Sequence, residues 1–309
     1  MLAINRRDFG RLALGGTGVL AAARAVLAQE RSSLPPIKST FNGVVVGCNT
    51  YSLSSLPLED AIKAIADIGF GISELHPCHV EPPFGLRGAG PGPLPPEQQV
   101  RGREKLRQWR LTVPLDQFAA ISRKFHDAGL YLYAYNMNFS DDLSDAEIDR
   151  TFEMTKALGC NLITAVGSSE LFRRLDAFAR RHKVVVGLHN EGRIRSVADF
   201  ETVSKGLSDY IAFTLDIGHF AAAGGDSLAM IEKHHDRIVN IHLKDRKKNN
   251  GPNMPFGRGN TPIKEVLLML RDRKYRVPTH IEWEVSAPRD QRIAAVRQCF
   301  GYCRQALQS

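Results

Sequence analysis

Five apolar runs in this sequence end with imidazole and carboxylate side chains close together. They read Glu74-Leu75-His76, Leu188-His189-Asn190-Glu191, Leu215-Asp216-Ile217-Gly218-His219, Ile241-His242-Leu243-Lys244-Asp245 and Ile281-Glu282-Trp283-Glu284. A lone Asp or His in such a place has a plain use, accepting the free backbone N–H groups of a following helix. Four successive runs ending in oxygen and imidazole donors ask for more. Mixed donors with no thiolate among them suit Mn²⁺, Co²⁺, Fe²⁺, Mg²⁺ or Zn²⁺. Such an ion polarises a carbonyl or stabilises an enediolate, so one divalent metal is the expected cofactor. Lys244 can hold a substrate hydroxyl or meet developing negative charge, and Asp245 can orient a ligand; a surface ion pair is the alternative for both. Glu282 and Glu284 leave a regular strand in the same direction and compete for one role. Trp283 and Phe256 offer flat faces to a sugar ring, with packing the commoner use of either.

The elements that must position these residues follow from periodicity. Eight strands are predicted at 43–48, 71–76, 130–136, 161–166, 183–189, 211–216, 238–243 and 279–284. Several are Val-, Ile- and Leu-rich without polar alternation, as strands covered on both faces are. Between them fall helical patterns at 58–68, 115–128, 144–158, 171–181, 196–205, 226–235, 262–270 and 289–306. Ser144-Asp145-Ala146-Glu147 reads as a capping box, and Gly69 and Gly159 as helix stops. Eight strand–helix units in one chain make an α/β fold, a (β/α)8 TIM barrel forming a single domain over 43–309, with catalytic groups at the C-terminal strand ends. A doubly wound sheet is the rival. Gly257-Arg258-Gly259, however, lacks the strand-to-helix context of a dinucleotide-binding turn. The stretch 78–113 is rich in Pro and Gly, then basic, and too long for an ordinary loop. It is expected to form a flap or contact surface over the barrel mouth, with a solvated loop as the alternative.

Composition sets outer bounds. The chain has 309 residues, 43% hydrophobic and 24% charged, which excludes disorder and a polytopic membrane protein. The net charge of +8 comes partly from Arg6, Arg7, Arg11 and Arg24, and no long basic run follows; nucleic acid is therefore not an expected partner. The cysteines, five in number, match no thiolate metal site and read as structural or incidental.

The first 28 residues read as an address. Asn5-Arg6-Arg7-Asp8-Phe9 precedes an apolar run from Leu12 to Leu20, and Val26-Leu27-Ala28 offers a cleavage site. This resembles a bacterial twin-arginine export signal, which implies a periplasmic or secreted protein with no stable membrane span after processing. Residues 29–42 read as a flexible lead-in.

From 43 onward, Thr214-Leu215-Asp216-Ile217-Gly218-His219, Ile241-His242-Leu243-Lys244-Asp245 and Ile281-Glu282-Trp283-Glu284 taken in order resemble the xylose isomerase-like TIM-barrel superfamily, and within it proteins of the sugar phosphate isomerase/epimerase type. The resemblance implies a metal held by one residue from each of strands five to eight: Asp216, His242 and Glu282 by position. Where many relatives have Glu-Asn-His, this chain has His189-Asn190-Glu191. His189 is then the fourth ligand, and Glu191 takes a supporting or substrate role. The same resemblance implies that His219 touches substrate oxygen, and that Glu282 is one of two carboxylates working on opposite faces of the substrate carbon. Its counterpart is then Glu191 or Glu74. Catalytic roles fall on Glu282, Glu191, His219 and Lys244, and substrate contacts on Glu74, His76, His219, Lys244, Asp245 and Glu284.

The function so implied is divalent-metal-dependent isomerisation or epimerisation of a small-molecule carbohydrate, by proton abstraction next to a carbonyl and through a metal-stabilised enediolate. Export favours a neighbouring alternative, a lyase or hydratase acting on 3-keto-glycosides by β-elimination. A non-catalytic periplasmic carbohydrate binder and a metal-dependent phosphodiesterase rank lower. A homo-oligomer is compatible with all of them.

Overall fold

A computed structural model of the chain describes residues 34–86, 94–191 and 194–309. Residues 1–28, where an export signal is expected, and the first part of the lead-in lie outside these residues. Eight parallel strands form the inner ring: β1 (Val44–Asn49), β2 (Ile72–Leu75), β3 (Tyr131–Asn138), β4 (Leu162–Val166), β5 (Val185–His189), β6 (Ile211–Asp216), β7 (Ile238–Leu243) and β8 (Thr279–Ile281). Each pairs with the next, and the ring closes where Thr279 of β8 lies beside Val46 of β1. All residues of β5, β6 and β7 are buried, because one face of each meets the lumen and the other meets helices.

The helices of the outer layer are α1 (Leu58–Ile68), α2 (Pro96–Thr112), α3 (Leu115–Asp127), α4 (Asp145–Ala157), α5 (Ser169–His182), α6 (Val197–Ser204), α7 (Ile217–Ala222), α8 (Ser227–His234), α9 (Ile263–Asp272) and α10 (Arg289–Gln308). In α1, Leu58, Ala61, Ile62, Ile65 and Ile68 are buried, and Gly69 ends the helix at φ 113°, a conformation glycine adopts without steric penalty. Ser144 and Glu147 form the predicted capping box of α4. No helix among the described residues is long and apolar enough to cross a membrane. The five cysteines are free thiols, and burial pushes those of Cys48 and Cys299 up to about 12, so neither ionises near neutrality.

Two local findings depart from the sequence expectation. The eighth strand stops at Ile281 rather than 284. The Ser52 hydroxyl donates to the Ile281 carbonyl (3.0 Å) and accepts from the Trp283 N–H (2.9 Å), replacing the next rung of the ladder. The stretch 78–113 contributes α2, three of whose four arginines meet carboxylates on the barrel flank. Arg110 makes a two-pronged contact with Glu81 (2.8 and 3.1 Å), Arg107 lies 3.7 Å from Glu147 and Arg103 pairs with Asp142. None of its described residues lines the cleft at the barrel mouth.

The lumen below the mouth is tightly filled. A Cβ on Gly47 would lie 2.5 Å from the His280 ring and 2.8 Å from Ile72. Gly47→Ala is therefore expected to destabilise the fold by about 1–3 kcal/mol in chemical denaturation, the usual effect of overpacking. His280 is fully buried, its Nδ1 2.7 Å from Asn240 Oδ1, and burial pushes its imidazole down to about 4. The folded protein keeps this ring neutral while the unfolded chain takes up a proton near the ordinary histidine value of about 6.5. This group's contribution to stability should fall as pH drops from about 6.5 towards 4, by at most about 1.4 kcal/mol per pH unit. Denaturation of wild type and His280→Gln across that range measures it, and the variant is expected to show the shallower decline.

Candidate metal centre

The ends of the last four strands bring four donors to one point. His189 closes β5, Asp216 closes β6, His242 lies one residue before the end of β7, and Glu282 follows β8. One ligand atom from each lies within 4.8 Å of the others, and all four residues are buried. His189 Nε2 is 3.2 Å from His242 Nδ1 and 3.7 Å from Asp216 Oδ2, and His242 Nδ1 is 3.2 Å from Glu282 Oε2. Strand register supports this convergence, pairing Asp216 with His242 and His280 with His242. Asn190 clamps β6 from the side: its Oδ1 accepts from the Asp216 N–H (2.7 Å) and its amide donates to the Asp216 carbonyl (3.0 Å).

Asp216 combines two uses of a strand-end carboxylate. Its Oδ1 caps α7 by accepting the His219 N–H at 2.7 Å, which leaves Oδ2 for the site. Glu282 likewise presents Oε2. The set of two imidazoles and two carboxylates, with no thiolate, fits a borderline or hard divalent ion.

The same carboxylate oxygens meet Lys244. Its ammonium, 2% exposed, lies 3.0 Å from Asp216 Oδ2, 2.9 Å from Glu282 Oε2 and 3.0 Å from Glu284 Oε2. Burial by itself would raise the Asp216 and Glu282 carboxyls, yet Lys244 before all, with His219 and His242 respectively, holds them well below the usual range. Burial opposes the charge on Lys244 too, but Asp216, Glu282 and Glu284 keep the ammonium protonated. Glu284 is raised, mainly by burial. Burial pushes His219 down to about 4 although Asp216 pulls the other way, so this ring is neutral near pH 7. Its Nε2 lies 3.1 Å from Lys244 Nζ and its Nδ1 2.7 Å from Arg246.

Above the four donors opens a cleft of about 170 Å³ lined by Tyr51, His76, Asn136, Asn138, His219 and the acidic side chains around Lys244. Its predicted members fall into two groups. His76, His219, Lys244, Glu191 and Glu284 line it. The buried Lys244 is no surface ion pair, and Glu191 stands exposed on the rim. Glu74 and Asp245 do not line it. Glu74 is fully buried below the cleft, with Oε2 2.6 Å from His242 Nε2. The Asp245 carboxylate accepts backbone N–H groups of Arg258 (3.1 Å), Gly259 (2.8 Å) and Thr261 (3.2 Å). It folds the Gly257-Arg258-Gly259 loop around itself, and a Cβ on Gly259 would collide with it. Trp283 is buried under Arg292, and Phe256 packs edge-on to Tyr302; both serve packing.

Sequence reasoning missed Tyr51, Asn136, Asn138, Asn190 and Arg246. Asn136 and Asn138 alternate along the end of an otherwise apolar β3, a period-two signal of side chains aimed into the barrel. Tyr51 follows the end of β1 and could have been found by the strand-end rule. Arg246 reaches His219 through a short ribbon, Asp245–Arg246 with Asn253–Met254, which nothing in the sequence announces.

A family model described as "Xylose isomerase-like TIM barrel" matches residues 62–303. Among curated proteins, none matches the chain. Solved structures similar to it include D-psicose 3-epimerase in the presence of D-fructose, at 15% identity and TM-score 0.61, covering 86% of this chain and 100% of that one. The IolI protein with a zinc atom is similar at 14% identity and TM-score 0.62, over 85% and 98%. The probable 3-DHS dehydratase AsbF from Bacillus anthracis is similar at 13% identity and TM-score 0.61, over 83% and 98%. At these identities the likeness shows the fold.

Metal-stripped protein titrated with Mn²⁺, Co²⁺ or Zn²⁺ is expected to bind one ion per chain and gain stability. At a hundredfold excess over Kd the gain is about 2.7 kcal/mol. Asp216→Ala should abolish both the binding and the thermal shift, as read by elemental analysis and calorimetry.

Proposed function

The chain belongs to the xylose isomerase-like TIM barrel family, and from that premise we propose that it is a divalent-metal-dependent enzyme isomerising or epimerising a small carbohydrate by removing a proton next to a carbonyl. The observation that carries this reading is the convergence of His189, Asp216, His242 and Glu282 beside a buried ammonium at the floor of a small polar cleft. A divalent ion held by His189, Asp216, His242 and Glu282 would supply Lewis acidity to a substrate carbonyl.

The chain's own groups divide the remaining work. Glu282, held ionised, is the base. Lys244 donates hydrogen bonds to the oxygen on which negative charge develops. Neutral His219 orients a substrate hydroxyl, and Asn136, Asn138 and Glu284 offer further polar contacts. For epimerisation a second group must return the proton on the opposite face. Glu191 follows β5 and Glu282 follows β8, three strands apart in a ring of eight, which supports Glu191 in that role, Glu74 being buried below the cleft. The segment 1–28 supports placing the enzyme in the periplasm, where unphosphorylated sugars are at hand.

One observation favours the one-base reactions, isomerisation and the neighbouring β-elimination from 3-keto-glycosides, over epimerisation. The strand-five donor is His189 rather than a carboxylate, and Glu191 is exposed on the rim, which leaves Glu282 as the single buried base. One base on one face suffices for isomerisation or elimination. Both reactions begin with the same proton abstraction, so one experiment tests the class. Metal-loaded protein in D₂O is offered a panel of keto-sugars and 3-keto-glycosides, and deuterium is expected to enter a carbon-bound position of one of them. Glu282→Gln, checked for fold by circular dichroism and for metal content, should lose about 10²-fold or more of that exchange. Absence of exchange with every substrate, or exchange undiminished in the variant, contradicts the reading.

A further inference from the structure

Below the donors the lumen carries a second polar layer that the proposed reaction does not touch. Glu74 comes from β2 and His242 from β7, strands that are not neighbours in the ring, so their 2.6 Å contact spans the lumen. Burying a carboxylate is unfavourable unless donors converge on it, and here three do. Glu74 Oε2 faces His242 Nε2 at 2.6 Å, Asn49 Nδ2 at 3.0 Å and Asn240 Nδ2 at 3.4 Å. The two amides cannot turn round. The Asn49 oxygen is committed to the Tyr51 N–H (2.9 Å) and the Asn240 oxygen to His280 Nδ1 (2.7 Å). The two amides therefore hold Oε2 of the carboxylate against His242.

We infer that Glu74 is the positioning residue of the metal centre: by accepting the Nε2–H of His242 across the lumen, it fixes that imidazole in the tautomer whose Nδ1 faces His189, Asp216 and Glu282, making Nδ1 the ligand atom. The geometry at the other nitrogen agrees, since His242 Nδ1 lies 3.2 Å from both His189 Nε2 and Glu282 Oε2. A carboxylate behind a ligating imidazole orients the ring and raises its basicity, and loss of such a partner typically lowers metal affinity 10–100-fold. The strand-two carboxylate thus serves the strand-seven ligand and leaves substrate chemistry to the cleft. This inference rests on the metal reading of the four donors and adds a residue to it.

The test uses ¹¹³Cd²⁺ and Zn²⁺ as probes on the whole chain. In ¹⁵N-histidine protein loaded with ¹¹³Cd²⁺, scalar coupling is expected at His242 Nδ1, with Nε2 carrying the proton. Glu74→Gln keeps an acceptor and should bind Zn²⁺ about tenfold more weakly by competition calorimetry. Glu74→Leu, which offers none, should approach a hundredfold. If the Leu variant does not fold, the Gln variant and the wild-type coupling still decide. Coupling through Nε2, or a Gln variant that folds and binds Zn²⁺ as wild type does, overturns the role of Glu74 and leaves the metal reading standing. Wild type that binds neither ion overturns both.

Discussion

Charge buried under the barrel mouth is the constraint on which the rest depends. Asp216 and Glu282 are shielded from water, with 0% and 6% of their surface exposed, and each unpaired ion in such a place carries a penalty of several kcal/mol. The chain offsets this with the Lys244 ammonium, held between them at 3.0 and 2.9 Å, and with His242, whose imidazole is braced by Glu74. A cation is thus required at this point of the fold. Lys244 supplies one charge for two or three carboxylates, and that imbalance leaves the donors suited to a divalent ion as well.

The same constraint orders the surroundings. Asn190 ties the ends of β5 and β6 together, Ser52 ends β8 so that Glu282 follows immediately, and Asp245 gathers the 257–261 loop beside the site. None of these residues faces the cleft. Each removes a way for the donors to drift apart, and a metal or catalytic constellation needs its side chains held to within a fraction of an ångström. The cleft above them is small and polar, a shape that matches a sugar more readily than a large apolar ligand.

Much of this was legible in the sequence. The runs at 211–216, 238–243 and 58–68 coincide with β6, β7 and α1, because the first two are mainly apolar at strand length and the third has apolar residues at helical spacing with Gly69 as its stop. The four donors were found by the strand-end rule joined to the family resemblance. Depth in the lumen was not legible. Glu74 and His76 read alike as strand-end residues, yet one lies a layer below the cleft and the other lines it, because β2 ends at Leu75 and leaves Glu74 within the ring and His76 beyond it. Asp245 sits next to Lys244 in sequence but turns away into a loop, and no local pattern distinguishes a carboxylate that meets substrate from one that binds backbone N–H groups. The arginines of 78–113 were visible, but their partners Glu81, Asp142 and Glu147 were not, because ion pairing across a surface leaves no periodicity.

The central claim is that His189, Asp216, His242 and Glu282 grip one cation together. Anomalous diffraction from crystals soaked in Zn²⁺ or Mn²⁺ tests it most directly. The account predicts one strong peak in contact with His189 Nε2, Asp216 Oδ2, His242 Nδ1 and Glu282 Oε2, with Lys244 displaced towards Glu284. A peak elsewhere on the barrel, or these four side chains unmoved around Lys244 with no ion bound among them, would contradict it.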